Sequence, residues 1–138
     1  MQLNITTDYA IRIILYLYMA DHEVTVAEIG DKMAVSPKYL PTITKKLSKK
    51  GLVKSRPGRN GGLTVVKPAD EVTLWDIIST MEKTMKCNRC LEEDEYCSRF
   101  ATKDCPVRKF YQDFQAELEN RLSNVTVKDL LNIGKENN

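Results

Sequence analysis

The stretch TVAEIGDKMAVSPKYLPTITKKLSKKGLVKSRPGRNGGLTVV, residues 25–66, restricts the fold more than any other part of the chain. Thr25 followed by Glu28 reads as a capping box. It opens a helix on which Val26, Ile29 and Met33 recur at helical spacing. After the turn AVS, Ser36 is placed to cap a second helix, with Pro37 at its favoured first position and Gly51 closing it. Leu40, Ile43 and Leu47 form the buried stripe of that helix, leaving Lys38, Thr42, Lys45, Lys46 and Lys49 outside. Pro41 cannot donate to the carbonyl one turn back, which predicts a bend in the first turns. LVKS, RPGRNGG and LTVV then read as strand, glycine-rich turn and strand. Two helices joined by a tight turn and followed by a hairpin make a winged helix-turn-helix.

The flanks complete a class that is mainly α with a small β-hairpin wing. TTDYAIRIILYLYMA is a first helix with Thr6 or Thr7 as cap, apolar around most of its circumference and therefore a core helix. VTLWDIISTME is another, capped by Thr73, with Leu74, Ile77, Ile78 and Met81 inward. A long helix starts at Pro106, just after Asp104 or Cys105, and carries Val107, Phe110, Tyr111, Phe114, Leu118 and Leu122 on one stripe to about Asn124. TVKDLLNIG, capped by Thr126, is the last. These elements divide the chain into a winged DNA-binding domain over 1–80, a cysteine-rich sensor loop over 81–105, and a dimerisation helix with a C-terminal helix over 106–138. An apolar stripe with three aromatic rings needs a larger partner than a small winged domain offers, so a homodimer is expected.

Charge assigns the partner of the winged half. Residues 32–69 hold 10 of the 21 Lys and Arg and none of the 19 Asp and Glu, leaving 11 basic against 19 acidic side chains elsewhere. Such a split points to a polyanion, and the motif makes it double-stranded DNA. The start of the second helix of such a motif faces base edges in the major groove, which selects Ser36, Lys38, Tyr39 and Thr42. Lys45, Lys46 and Lys49 lie further along and suit phosphates. Arg56, Arg59 and Asn60 lie on the wing, where arginine suits a narrow minor groove and glycines let backbone amides approach phosphates. A dimer reads two half-sites about one helical turn apart, so a pseudo-palindromic operator is expected. The run AIRIILYLYMA is too short to span a bilayer and contains Arg12, so a cytoplasmic chain without membrane contact is expected.

All four cysteines, Cys87, Cys90, Cys97 and Cys105, fall in CNRCLEEDEYCSRFATKDC. In a reducing compartment such a cluster points to metal ligands or redox groups rather than structural disulfides. Four thiolates satisfy tetrahedral zinc, and Cys87 and Cys90 form a C-x2-C pair. They equally satisfy an iron–sulfur cluster or a metal-free oxidation sensor. Lys86, Arg89, Arg99 and Lys103 favour thiolates, whereas the acidic residues 92–95 oppose them. A small thiol-redox enzyme built on Cys87 and Cys90 lacks the surrounding strand–helix alternation and an acid–base pair. A protein-binding adaptor is at odds with the unbroken basic run.

TDYAIRIILYL, SPKYLPTITKKLSKKGLVKS, GRNGGL, VTLWDI and cysteines ahead of a long helix together resemble the Rrf-two family of bacterial transcription regulators, with its IscR and NsrR types, over residues 1 to about 131. The resemblance implies a homodimeric winged helix with a crossing dimerisation helix. It also implies an iron–sulfur cluster in the cysteine loop that tunes DNA binding, repressing in the simplest case, in response to nitric oxide, redox state or cluster supply. Carried over, the family's three ligand cysteines fall on Cys90, Cys97 and Cys105, with Cys87 extra. Where IscR-type members have a histidine three residues after the last cysteine, this chain has Arg108, which favours a four-iron–four-sulfur over a two-iron–two-sulfur cluster. The NsrR-type aspartate, contributed by the other subunit, falls on Asp8. Asp8 and Cys87 are therefore the alternatives for a fourth ligand.

Overall fold

Helix α1 (Ile5–Met19) begins at Asn4 rather than at Thr6 or Thr7, and Asn4 makes no side-chain cap bond to the helix. The structure, a computed structural model, describes residues 1–58 and 60–137. The cap comes from another element: the carboxylate of Glu82 accepts the backbone N–H and Nδ2 of Asn4 and the Thr7 hydroxyl, each at 2.8 Å. A carboxylate at a helix N-terminus complements the helix dipole, and its bond lets the Thr7 hydroxyl be fully buried. Sequence proximity alone cannot reveal a cap from 75 residues away. Replacing Glu82 by glutamine should lower stability by about 1–2 kcal/mol, read as a reduced thermal midpoint. Ala10, Ile13, Ile14 and Leu17 of α1 form the centre of the core, while Ile5 and Met19 stay exposed.

Helix α2 (Val26–Met33) has only half of the expected capping box. Thr25 Oγ accepts the Glu28 N–H at 3.1 Å, but the Glu28 carboxylate turns to the Tyr16 hydroxyl at 2.6 Å and His22 Nε2 at 2.9 Å. Val26 is exposed, and Ile29 alone of this helix is fully buried. The Asp21 and Glu28 carboxylates beside His22 raise its pKa above the ordinary 6.5. A raised folded-state value gives stability that is fully present below the ordinary 6.5 and is lost as pH climbs through the raised value. The thermal midpoint should therefore decline slightly as pH rises above 6.5, and His22→Gln should flatten that decline.

Helix α3 (Leu40–Lys49) starts four residues after the expected cap. Ser36 does not cap it, and Pro37, Lys38 and Tyr39 form a tight turn in which the Tyr39 N–H donates to the Ser36 carbonyl at 3.1 Å. Pro41 explains the shift: without an N–H it cannot close a helical turn onto Pro37, but it sits comfortably in the first turn of a helix. Leu40, Ile43 and Leu47 point into the core as their spacing requires.

Strands β1 (Val53–Arg56) and β2 (Gly62–Val65) pair antiparallel, Val53 opposite Val65 and Arg56 opposite Gly62. Val24 adds a bridge to Leu63, with N–H to carbonyl distances of 3.1 and 2.8 Å, which ties the wing to the segment before α2. Helix α4 (Leu74–Met81) carries a complete capping box between Thr73 and Asp76 and buries Ile77, Ile78 and Met81.

From α4 the chain runs through the cysteine segment into α5 (Pro106–Ser123), then α6 (Val127–Glu136), whose own box joins Thr126 and Asp129. The end of the chain is sewn back onto the core. The Leu74 N–H donates to Val125 at 2.9 Å, the Val127 N–H donates to Val72 at 2.8 Å, and Val127 is fully buried. Helix α5, in contrast, buries only Gln115. Val107 and Phe110 are exposed and Tyr111, Phe114, Leu118 and Leu122 are half-buried, so the stripe is left largely uncovered by this chain. Among the described residues no helix is long and apolar enough to cross a membrane.

Candidate nucleic-acid interface and cysteine cavity

At the basic end, Lys38, Thr42, Lys45, Lys46 and Lys49 are exposed along the turn and outer face of α3, opposite the buried Leu40, Ile43 and Leu47. Ser36 and Tyr39 are half-buried. The Tyr39 ring packs on Tyr9 at 5.5 Å, with Lys38 Nζ 4.9 Å from its centre, so Tyr39 anchors the turn to α1 and orients Lys38. On the wing, Arg56 is exposed and partnered within the chain. It pairs with Glu23 at 2.6 Å and donates to the Asn60 carbonyl at 2.6 Å, bracing the turn at its base. The Asn60 side chain is exposed, and Arg59 lies outside the described residues.

The wing glycines have a steric role beside the phosphate approach expected of them. A Cβ on Gly61 would stand 1.9 Å from the Arg56 carbonyl oxygen, and one on Gly62 would stand 2.6 Å from the Val24 carbonyl oxygen. Both glycines let backbone cross backbone.

At the other end, all four cysteines are free thiols, and they divide into two places. Cys90, Cys97 and Cys105 line one open cavity of about 320 Å3, together with Asn88, Tyr96, Arg108 and Tyr111. Cys105 is the N-cap of α5, so the cavity opens directly onto the start of that helix. Two of the three sulfurs receive N–H groups. Asn88 Nδ2 lies 3.2 Å from Cys90 Sγ. The backbone N–H groups of Ala101, Arg99 and Phe100, with the Arg99 charge, pull the Cys97 thiol pKa below its ordinary value. Phe100 holds a left-handed φ of 55° in this turn, and its ring is 94% exposed. A backbone bent to aim successive amides at one sulfur makes an anion nest.

Cys87 belongs elsewhere. Its sulfur donates to the Tyr111 carbonyl at 3.7 Å, and it lines a separate apolar groove with Leu3, Ile78, Met85, Leu118 and Leu122. The C-x2-C pair therefore faces two different spaces. Gln115, the buried residue of α5, fixes this segment: its Oε1 accepts the Cys87 N–H and its Nε2 donates to Met85, each at 2.8 Å. Asp8 sits in the first turn of α1, half-exposed and paired with Arg12 at 2.6 Å. Among the described residues no three His, Cys, Asp or Glu side chains converge closely enough to bind one metal ion.

Comparison with known proteins agrees with this architecture. The family model described as "Rrf2: Iron-dependent Transcriptional regulator" matches residues 3–133. A candidate HTH-type transcriptional regulator of Aquifex aeolicus is 33% identical over 129 residues, covering 93% of this chain and 90% of that one. The HTH-type transcriptional regulator NsrR of Shouchella clausii is 29% identical, covering 95% and 89%. Among solved structures, IscR of T. potens superposes with a TM-score of 0.76 at 20% identity, covering 99% of this chain and 90% of that one. CymR of B. subtilis, the global cysteine regulator of that organism, does so at 0.73 and 23%, covering 94% and 95%. At those identities the two structures establish the winged-helix fold. With the family model spanning nearly the whole length, the chain belongs to the Rrf2 (Rrf-two) family of transcriptional regulators.

Proposed function

We propose that this regulator is a homodimer binding a pseudo-palindromic operator, and that an iron–sulfur cluster held by Cys90, Cys97 and Cys105 controls its grip on DNA. The observation that carries the reading is that those three thiols, and not Cys87, line one cavity at the cap of α5. The donor set fits such a group. A single tetrahedral zinc ion needs its thiolates within about 4 Å of one another, whereas these three cysteines are spread along the lining of a space of about 320 Å3 and do not gather about one point. The N–H groups at Cys90 and Cys97 are those that stabilise metal-bound thiolate. A fourth position goes to Asp8 from a second copy, in keeping with a Cys87 sulfur directed at Tyr111. When bound, the cluster supplies a centre that oxidants, nitric oxide or iron scarcity can alter. The chain's residues convert its presence into position: the loop ends in the cap of α5, whose uncovered Val107, Phe110 and Phe114 stripe faces the second copy and sets the spacing of the two α3 helices.

Protein purified and reconstituted without oxygen should be brown, contain iron and sulfide, and bind its operator differently from the metal-free form. Colourless protein whose thiols all titrate would sink the cluster assignment. It would favour a second reading, a metal-free oxidation sensor, for which the lowered pKa of Cys97 is the supporting observation. On the DNA side, Lys46→Gln with Lys49→Gln should weaken binding to every duplex and reduce the logarithmic salt slope by about two, as expected for two lost phosphate contacts. An unchanged slope would remove both residues from the interface.

A further inference from the structure

Arg108 is the third residue of α5, and its side chain forms part of the lining of the thiol cavity. It is 17% exposed, its Nε donates to the Cys90 carbonyl at 3.2 Å, and its Nη2 pairs with Glu95 at 3.1 Å. A guanidinium kept so far from water requires both partners, because losing either leaves a half-buried charge unmatched. Glu95 is itself held in a left-handed conformation, φ 46°, which a residue with a side chain adopts only when its surroundings impose it. Gln115, two turns further along α5, grips residues 85–87, upstream of the cavity.

Among the ties between the cysteine segment and α5, these two are of unlike kind. The Gln115 tie is buried and lies outside the cavity. The Arg108 tie crosses the cavity wall and reaches residues on both sides of Leu91. Glu95 is more than half exposed, so water competes for this second tie.

We propose that Arg108 is the positioning residue that couples the three-thiol cavity to α5. The Gln115 anchor serves as a fixed pivot, and the Arg108–Glu95 tie is the latch whose release lets the cavity wall move. This rests on the reading of that cavity as the sensing site. The latch is a property of the chain alone, so the test uses metal-free, reduced, full-length protein and measures amide hydrogen exchange by segment. Arg108→Gln should speed exchange across residues 88–97 about tenfold or more, with residues 85–87 and α1–α4 unchanged. Glu95→Gln should loosen the same residues, and the double variant should be no faster than Arg108→Gln alone, since the two share one interaction. Arg108→Lys, which keeps the charge but reaches one partner, should fall between. Gln115→Leu should instead loosen residues 85–87 first.

Unchanged exchange over 88–97 in Arg108→Gln, loosening spread evenly over α1–α4, or additive effects of the two single variants would each overturn the latch. Wild-type protein that takes up no iron would remove the cluster while leaving this exchange pattern standing, so the two claims fail separately.

Discussion

Replacing Cys97 by alanine is expected to abolish iron and sulfide retention after anaerobic reconstitution, and Cys90→Ala and Cys105→Ala should do the same. Cys87→Ala should retain both. The contrast follows from placement, since three sulfurs border one cavity and the fourth is turned to the Tyr111 carbonyl in a different groove. A multi-iron group held by three protein thiolates loses a third of its protein sulfur with any one of them. A ligand loss of that kind reduces retention by orders of magnitude rather than by a fraction. Stability should shift little in the metal-free forms, because all four cysteines are only half-buried and none forms a disulfide. Iron and sulfide analysis beside thermal denaturation separates the two effects. Equal loss of iron in Cys87→Ala and Cys97→Ala would contradict the division of the cysteines.

Gly61→Ala carries the second large effect, on the wing. The added methyl carbon would sit 1.9 Å from the Arg56 carbonyl oxygen and 2.9 Å from the Pro57 carbonyl carbon. Backbone atoms cannot swing aside as a side-chain tip does, so the turn must rebuild. That displaces the Arg56 brace to Glu23 and the Asn60 carbonyl. A cost of about 2–4 kcal/mol is expected, together with loss of specific operator binding. Gly58→Ala differs: nothing lies within 4 Å, and its cost comes only from a φ of 105°. Equilibrium denaturation with duplex binding distinguishes the two. Full operator affinity in a folded Gly61→Ala protein would show that the wing geometry does not matter for DNA.

The interior stripes were legible because helical spacing is a local signal. Leu40, Ile43 and Leu47, and Ile77, Ile78 and Met81, are buried as their periodicity requires. The caps show where local rules end. Thr73 and Thr126 cap as read, since each box closes within three residues. Thr6, Thr7 and Ser36 do not. At α1 the carboxylate comes from Glu82, and at α3 Pro41 postpones the helix. Arg56 shows the same limit: its pairing with Glu23, an acid from the α1–α2 connection, has no local signal in the sequence.

The amino-acid order alone determined the class of fold, the basic face of α3 and the gathering of all four cysteines in one segment ahead of α5. Spacing, charge and side-chain chemistry are properties that neighbouring residues carry with them. Only the tertiary structure gave Cys87 a groove of its own, placed Arg108 in the lining of the other cavity and returned Val127 to the core. Each of those depends on two segments far apart in the chain meeting at a particular angle, and an angle between elements is set by packing, which no local pattern encodes.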